Sequence, residues 1–234
     1  MSTRQIFLDT ETTGLDPKLG HRVIEVAGVE MVNRRLTGKH FHRYLNPGRD
    51  SEEGALQVHG LTTEFLSDKP KFAEIADELL EYISGAELII HNAPFDIGFL
   101  DSELALARKK RLKTYCPEVT DTLRMAKDLH PGKRNGLDAL CDRYQIDNSA
   151  RTLHGALLDA DLLAEVYLAM TRGQNSLIIE SETVSTEVRV PAFNRGELKL
   201  TVVRASAEEI AAHEAQLVEI DKASGGALWR RAET

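Results

Sequence analysis

In the first part of the chain, apolar and polar positions alternate with the two-residue period of β-strands. An apolar run at 6–8 leads into Asp9 and Glu11, and a Thr-Thr-Gly turn ends it. A stretch rich in Val and Ile at 22–32 and a second stretch at 36–45 follow, with a turn between them. Runs of this kind bounded by turn residues predict strands. Three strands with short connections predict an antiparallel meander.

The repeat of apolar positions then lengthens to that of helices. Phe72, Ile75, Leu79 and Ile83 recur at the spacing of one helix face, and a short apolar strand follows at 87–91. Further helices are predicted at 92–100, 121–129, 136–144 and 155–170. Helices that alternate with strands after a meander predict an α/β fold, in which helices flank a mixed sheet of antiparallel and parallel strands.

The stretch at 54–60 has no clear repeat and is predicted to be a loop between the meander and the first long helix. His59 lies near the end of this stretch. Because histidines are commonly exposed or half-exposed, a solvated side chain is the simplest interpretation of His59 from the residues alone.

The composition of the chain changes near Gly173, which predicts a division into three parts. Residues 1–173 form the predicted globular domain, and 174–205 a polar linker interrupted by a proline. Residues 206–234 form a tail that opens with Ser-Ala-Glu-Glu, the pattern of a helix-capping box.

The tail carries a small set of apolar residues. Ile210, Leu217 and Ile220 fall on one stripe of its predicted helix, and Trp229 follows. A segment of this size is too small to form a core of its own. It is interpreted either as a frayed terminus or as a docking segment, in which Ile210, Leu217 and Trp229 bind a groove on a partner.

The acidic balance of the chain limits how it can contact nucleic acid. Its 29 Lys and Arg residues against 37 Asp and Glu residues give a net charge of −8. This excludes a broad basic surface and favours contact with a few nucleotides, with metal ions between protein and phosphate.

Cys116 and Cys141 are expected to be buried free thiols of a reduced, cytoplasmic protein. No apolar run approaches the roughly 20 residues that a membrane span needs.

Carboxylates are the first candidates for chemistry. Because side chains alternate along a strand, Asp9 and Glu11 project on the same side. Their repulsion is tolerable if a cation lies between them, and oxygen ligands favour Mg²⁺ and Mn²⁺. Solvated acids are the alternative for this pair alone. Asp96 at a helix start, Asp159 in the last helix of the domain and His154 in the loop before it could converge on the same edge of the sheet.

Three short segments carry these residues: Asp9-Thr10-Glu11-Thr12-Thr13-Gly14, His91-Asn92-Ala93-Pro94-Phe95-Asp96 and His154-Gly155-Ala156-Leu157-Leu158-Asp159. In their order and in the H-x-x-x-x-D spacing, they resemble the three motifs of the DnaQ-like (DEDDh) 3′–5′ exonuclease family. The resemblance implies a ribonuclease-H-like fold with an extended C-terminal tail. Along nearly the whole chain it extends to the proofreading subunits of bacterial replicative DNA polymerases.

The resemblance implies a role for each motif residue. The four acids would hold two divalent cations, Mg²⁺ or Mn²⁺, and His154 would be the general base. His59 matches a family position that contacts the terminal nucleotide, and Asp9, Glu11 and Asp159 would lie against the same nucleotide. The family pattern can include an acid a few residues before this histidine. Gly54 aligns with that position here and Glu53 is adjacent to it, so the resemblance does not assign an acidic contact with the substrate.

The resemblance also implies partners. The substrate would be a single-stranded or frayed DNA 3′ end. Gln174, Leu177 and Ile179 belong to a segment that resembles a sliding-clamp-binding peptide, although the start of a linker is the alternative. The segment 205–229 resembles the tether to the catalytic (alpha) subunit of the polymerase. A small accessory subunit is a further partner compatible with the resemblance, and the expected location is the replisome at the nucleoid.

Three functions are compared on this basis. The first is a metal-dependent DNA exonuclease that proofreads for a polymerase. The second is an exoribonuclease, which would share the acids but not, as a rule, the clamp peptide and the docking tail. The third is an inactive scaffold that bridges clamp and polymerase, and the presence of all four acids and His154 counts against it.

Overall fold

The centre of the fold is a five-stranded mixed sheet. Its strands are β1 (Arg4–Thr12), β2 (Val23–Val32), β3 (Arg35–Tyr44), β4 (Glu87–Ile90) and β5 (Val119–Asp121). They lie in the order β3-β2-β1-β4-β5. β1, β2 and β3 are antiparallel neighbours, whereas β1, β4 and β5 run parallel. The predicted α/β fold with a mixed sheet and an antiparallel meander is thus confirmed.

The computed structural model describes residues 4–149, 151, 153–172 and 204–224. Helices in these ranges are α1 (Glu53–His59), α2 (Thr63–Leu66), α3 (Phe72–Ile83), α4 (Ala93–Leu106), α5 (Thr122–Leu129), α6 (Leu137–Tyr144), α7 (Ala156–Met170) and α8 (Ala207–Ser224). The first seven helices and the sheet belong to one compact unit, and α8 belongs to a second. Within the described ranges, no helix has both the length and the apolar character needed to cross a membrane.

Side chains of β1 alternate between two cores. Ile6 and Leu8 pack with residues of α3 and α4, whereas Phe7 packs with residues of α7 and with Ile89 of β4. All of them are fully buried. Burial of one such side chain contributes about 1.5–3 kcal/mol, so the centre of β1 is firmly fixed. The acids that follow it, beginning with Asp9, are therefore held at a defined place on the sheet.

The segment at 54–60 is a helix and not the predicted loop. α1 ends at His59 and is capped by Gly60, whose φ of 69° lies in the left-handed region that glycine adopts at helix ends. His59, expected in solvent, is only 4% exposed. Both predictions were wrong because seven residues make about two turns, too few for a helical repeat to be seen in the sequence.

The helix of the second unit begins as predicted. The Ser206 amide donates to Glu209 Oε2 (2.8 Å) and the Glu209 amide donates to Ser206 Oγ (3.2 Å), which is a complete capping box. Ile210 is exposed on this helix, and Leu217 is buried. Four residues predicted to contact partners lie outside the described residues: Gln174, Leu177, Ile179 and Trp229.

Candidate active site

The two acids of the first motif lie at the end of β1. Asp9 and Glu11 share the strand face of Phe7, which packs against α7. Glu11 is paired opposite Glu25 of β2, and the register of the two strands shifts immediately afterwards, between Glu11 and Thr12. The two strands pair once more beyond this irregularity, with Thr12 opposite Val23, so the carboxylates stand near the end of the ladder between β1 and β2.

Asp96 reaches the same edge from the other side of the sheet. It lies in the first turn of α4, which follows Asn92 in the left-handed conformation (φ 68°) and has Pro94 at its start, where proline is tolerated. Thr10 Oγ1 donates a hydrogen bond of 2.7 Å to Asp96 Oδ1. Because Thr10 faces away from its two acidic neighbours, this bond holds a carboxylate of α4 against the strand that carries the other two.

Asp159 and His154 come from α7 and the loop before it. Asp159 lies in the first turn of α7 and is 3% exposed. His154 Nδ1 is 3.5 Å from Asp159 Oδ2. Arg151 lies beside both residues: its Nε donates to Asp159 Oδ1 at 2.5 Å and its terminal nitrogen to Oδ2 at 2.7 Å. The loop thus brings an imidazole and a guanidinium to one carboxylate.

One cavity of about 550 Å³ is lined by all the residues of the three predicted motifs that were expected to act together. They are Asp9, Glu11, Asp96, His154 and Asp159. The convergence of these side chains at one edge of the sheet, expected from the sequence, is what the structure contains. Further residues on the cavity wall include Thr10, His91, Phe95, Arg134, Asp138 and Arg151.

The acids of the cavity are held in an environment that disfavours their charge. Burial, followed by the charge of Asp159, raises the pKa of Glu11 to about 8. Burial raises the pKa of Asp96 to about 7 against the opposing hydrogen bond from Thr10. Burial and the neighbouring Asp96 and Glu11 raise the pKa of Asp9 well above its ordinary value. Burial therefore disfavours the charged form of all three carboxyl groups, and the pKa values of Glu11 and Asp96 lie near neutral pH.

This donor set fits a divalent cation. Ligand atoms of Glu11, His154 and Asp159 all lie within 4.8 Å of one another, and Asp9 and Asp96 border the same cavity. A cation among carboxylates takes the place of the protons that mutual repulsion would otherwise retain. Oxygen-rich sites of this kind suit Mg²⁺ and Mn²⁺.

A second cavity of about 400 Å³ adjoins the first and contains His59. Glu11 and Phe95 belong to the walls of both cavities. The Leu61 amide donates to His59 Nδ1 at 2.9 Å, so the ring proton of the neutral imidazole is on Nε2. Burial lowers the pKa of His59, which favours this neutral form. Nε2 is buried and has no hydrogen-bond partner among the described residues.

The loop of His154 is joined to α1. The His154 amide donates to the Val58 carbonyl at 3.0 Å. Next to this bond, Leu153 packs so closely on Gly60 that a Cβ at Gly60 would lie 2.6 Å from Leu153 Cδ1. We call these contacts, between 58–60 and 153–154, the α1 seam. They connect the wall of the second cavity to the imidazole of the first.

Comparison with known proteins gives the family. A family model described as "Exonuclease" matches residues 6–167. The DNA polymerase III subunit epsilon of Escherichia coli (strain K12) is 55% identical to this chain, over 97% of the chain and 98% of that protein. The subunit of the same name from Salmonella typhimurium is 53% identical with the same coverage, and that of Pasteurella multocida 49% identical over 98% and 94%. This chain belongs to the epsilon-subunit family of exonucleases.

Membership of the epsilon-subunit family confirms the family and the activity predicted from the three motifs. The protein is a metal-dependent 3′–5′ exonuclease. Solved structures with lower identity share the fold. Exonuclease X in complex with 5′ overhanging duplex DNA has a TM-score of 0.56 at 23% identity, over 74% of this chain and 93% of that chain. The nuclease domain of 3′hExo, described as a DEDDh family member bound to rAMP, has a TM-score of 0.63 at 17% identity, over 73% and 92%.

Two residues of this epsilon-family chain, one in the first cavity and one behind the wall of the second, were not found from the sequence. One is Arg151, described above. The other is His21, which is 4% exposed and connects Thr13 Oγ1 (3.2 Å) with the carboxylate of Glu52 (3.0 Å) at the start of α1. The ring of His21 occupies the space that a side chain at Gly14 would need. The sequence did contain one indication of this contact, which is the glycine at position 14. A residue with a Cβ at this position would collide with the His21 ring.

Proposed function

We propose that this protein removes the 3′-terminal nucleotide from DNA by hydrolysis with two divalent cations, and that it does so as the proofreading subunit of DNA polymerase III. The observation that supports the proposal most is the clustering of four acids and an imidazole around one cavity at the end of β1. Family membership supports the assembly, because the relatives are named as epsilon subunits of that polymerase.

Each acid would serve as a ligand of the cations. Asp9, Glu11, Asp96 and Asp159 would hold two ions, Mg²⁺ or Mn²⁺, between the strand end and the first turns of α4 and α7. The ions would supply an activated water and stabilisation for the departing 3′ oxygen. His154 would accept the proton of the attacking water, since burial lowers the pKa of its imidazole and so favours the neutral form, which is the form that can take up a proton.

The second cavity is the proposed site of the terminal nucleotide. Its walls include the apolar side chains of Val58 and Phe95, which suit a base or sugar, and it opens beside Glu11. An acceptor atom of the nucleotide would provide the partner that His59 Nε2 lacks among the described residues. Asp9, Glu11 and Asp159 would then lie close to the scissile phosphate.

Replacement of His59 by leucine is expected to raise KM for a single-stranded DNA oligonucleotide about tenfold with little change in kcat, because one hydrogen bond to the nucleotide is lost. Steady-state kinetics of nucleotide release measures both constants. The matched control is His40→Leu, which alters an exposed histidine on β3. An unchanged KM would remove His59 from the substrate site.

The direct test of the proposed function is the release of deoxynucleoside monophosphate from a primer in Mg²⁺. A mismatched 3′ end is expected to be degraded faster than a matched one, since unpairing costs less at a mismatch. RNA of the same sequence tests the exoribonuclease alternative, and faster degradation of RNA would favour it. Absence of any monophosphate release would leave only the scaffold.

The tail is proposed to bind the alpha subunit of polymerase III. Residues 174–179 are proposed to bind the sliding clamp. A small accessory subunit could contact the nuclease domain. The proposed boundaries are a nuclease domain at 1–173, a linker at 174–205 and a tail at 206–234. α8 supports the tail assignment because it is a capped helix with exposed apolar residues, including Ile210. The complex would act in the cytoplasm.

Truncation after Ala205 is expected to leave nuclease activity on single-stranded DNA within about twofold of the full chain, because the cavity is lined by residues 9–159 of the described part of the chain. Association with the alpha subunit is expected to be lost. Gel filtration of the mixed proteins measures the association, with the full chain as control. Co-elution of the truncated chain with alpha would exclude the tail as the docking segment.

A further inference from the structure

Arg151 is the only cation of the described residues that contacts both a proposed metal ligand and the proposed base. Besides its two bonds to Asp159, its guanidinium donates to Asp138 of α6 and to His154 Nδ1, the latter at 3.0 Å. Its side chain is 5% exposed. Paired bonds of this kind between a guanidinium and a carboxylate are among the stronger polar contacts in proteins.

The hydrogen bonds from Arg151 go to the Asp159 oxygens that would bind the metal ion. Both oxygens of Asp159 accept from Arg151, so a cation at this carboxylate has to share each oxygen with the guanidinium. A guanidinium and a divalent ion at the same carboxylate also repel each other. Occupation by Arg151 and loading with metal are therefore competing states of one site.

The proposed base is engaged by the same side chain. Arginine has donors only, so His154 Nδ1 accepts the bond and the ring proton of His154 is on Nε2. The lone pair of the neutral imidazole is then occupied by the guanidinium and cannot take a proton from water. Release of Arg151 frees the carboxylate and the imidazole together.

Asp138 provides a place for the released guanidinium. It lies on α6, its side chain is largely exposed, and it is not one of the proposed ligands. Arg151 can keep this partner while it leaves Asp159, so that displacement does not strand a buried charge.

We propose that Arg151 is an intramolecular counter-cation: in the metal-free protein it neutralises Asp159 and engages His154, and binding of a divalent cation displaces it from both. Arg151 is thus a positioning residue that couples metal loading to exposure of the base. The inference rests on the proposed metal site.

Binding of Mn²⁺ to the full-length chain, followed by electron paramagnetic resonance of the free ion, tests the competition. Arg151→Gln is expected to bind Mn²⁺ about tenfold more tightly than the unaltered chain, because a competing cation is gone. Arg151→Lys, which keeps the charge but loses the paired bonds, is expected to lie between them and serves if the glutamine variant does not fold. The control is Arg4→Gln, which removes an arginine paired with the buried Glu30 at the other end of β1. Unchanged or weaker Mn²⁺ binding in both Arg151 variants overturns the inference.

Two further measurements separate this inference from the proposed function. Asp159→Ala should weaken Mn²⁺ binding: if it does while the Arg151 variants match the unaltered chain, only the inference fails. If the unaltered chain binds no Mn²⁺, the metal site fails and the inference with it. In nitrogen NMR spectra of the His154 ring, Mg²⁺ is expected to shift the Nδ1 signal in the unaltered chain as the Arg151 bond is lost. A signal that Mg²⁺ leaves unchanged overturns the coupling.

Discussion

Replacement of Asp9 by alanine is expected to lower kcat for nucleotide release at least about a thousandfold. Asp9 stands among Glu11, Asp96 and Asp159 on the wall of the first cavity. Loss of one ligand leaves three acids to hold two cations, and ions in such sites stabilise the transition state by several kcal/mol. Each 1.36 kcal/mol corresponds to a factor of ten, so about 4 kcal/mol gives the expected factor.

The same variant is expected to fold at least as well as the unaltered chain in the absence of metal. The raised pKa of Asp9 shows that its charge is disfavoured by burial and by its acidic neighbours, and alanine removes this cost. Thermal unfolding in a chelator therefore separates loss of chemistry from loss of structure. Asp128→Ala, at an exposed position of α5, is the control for removing an acid. Near-normal turnover by Asp9→Ala would falsify the site assignment.

Replacement of His154 by glutamine is expected to lower kcat by a factor of about 10² to 10⁴, the range in which a positioned general base contributes. Glutamine retains polar atoms of similar reach but cannot take up a proton at neutral pH. Binding of Mn²⁺ should change far less than kcat, because four carboxylates remain. Single-turnover hydrolysis of an oligonucleotide measures the chemical step, and a metal titration measures the binding.

The control for this variant is His130→Gln. His130 lies at the end of α5, where its Nε2 is 2.7 Å from the Tyr144 hydroxyl, and it does not line the cavity. Unaltered single-turnover rates for His154→Gln at saturating metal would mean that another group, or water itself, takes the proton. A rate loss that disappears at high metal concentration would instead make His154 a ligand.

The sequence predicted the sheet well because β1 and its neighbours are long and strongly patterned. Phe7 and Ile6 alternate between two cores, which gives the continuous apolar run that a central strand shows. β5 and α1 were missed because three and seven residues carry too little of a repeat. The burial of His59 could not be predicted, because it depends on α1, which the sequence did not indicate.

The acidic residues of the candidate site were predicted from the sequence, whereas its arginine was not. Asp9, Glu11 and Asp96 lie in short segments next to strand or helix ends, which the sequence pattern locates and the parallel pairing of β1 and β4 brings together. Arg151 gives no such signal, since an arginine in a polar loop is ordinarily solvated. Its importance arises only when the fold turns that loop toward Asp159.

The α1 seam has a consequence for how the enzyme distinguishes its substrates. Because the His154 amide donates to the Val58 carbonyl, we expect a nucleotide that displaces α1 to displace the backbone of His154 as well. We expect cutting to depend on how completely the last residue of the strand is seated, whichever of the four bases it carries. We therefore expect a primer end that stays paired in its duplex to be cut slowly, whatever its sequence.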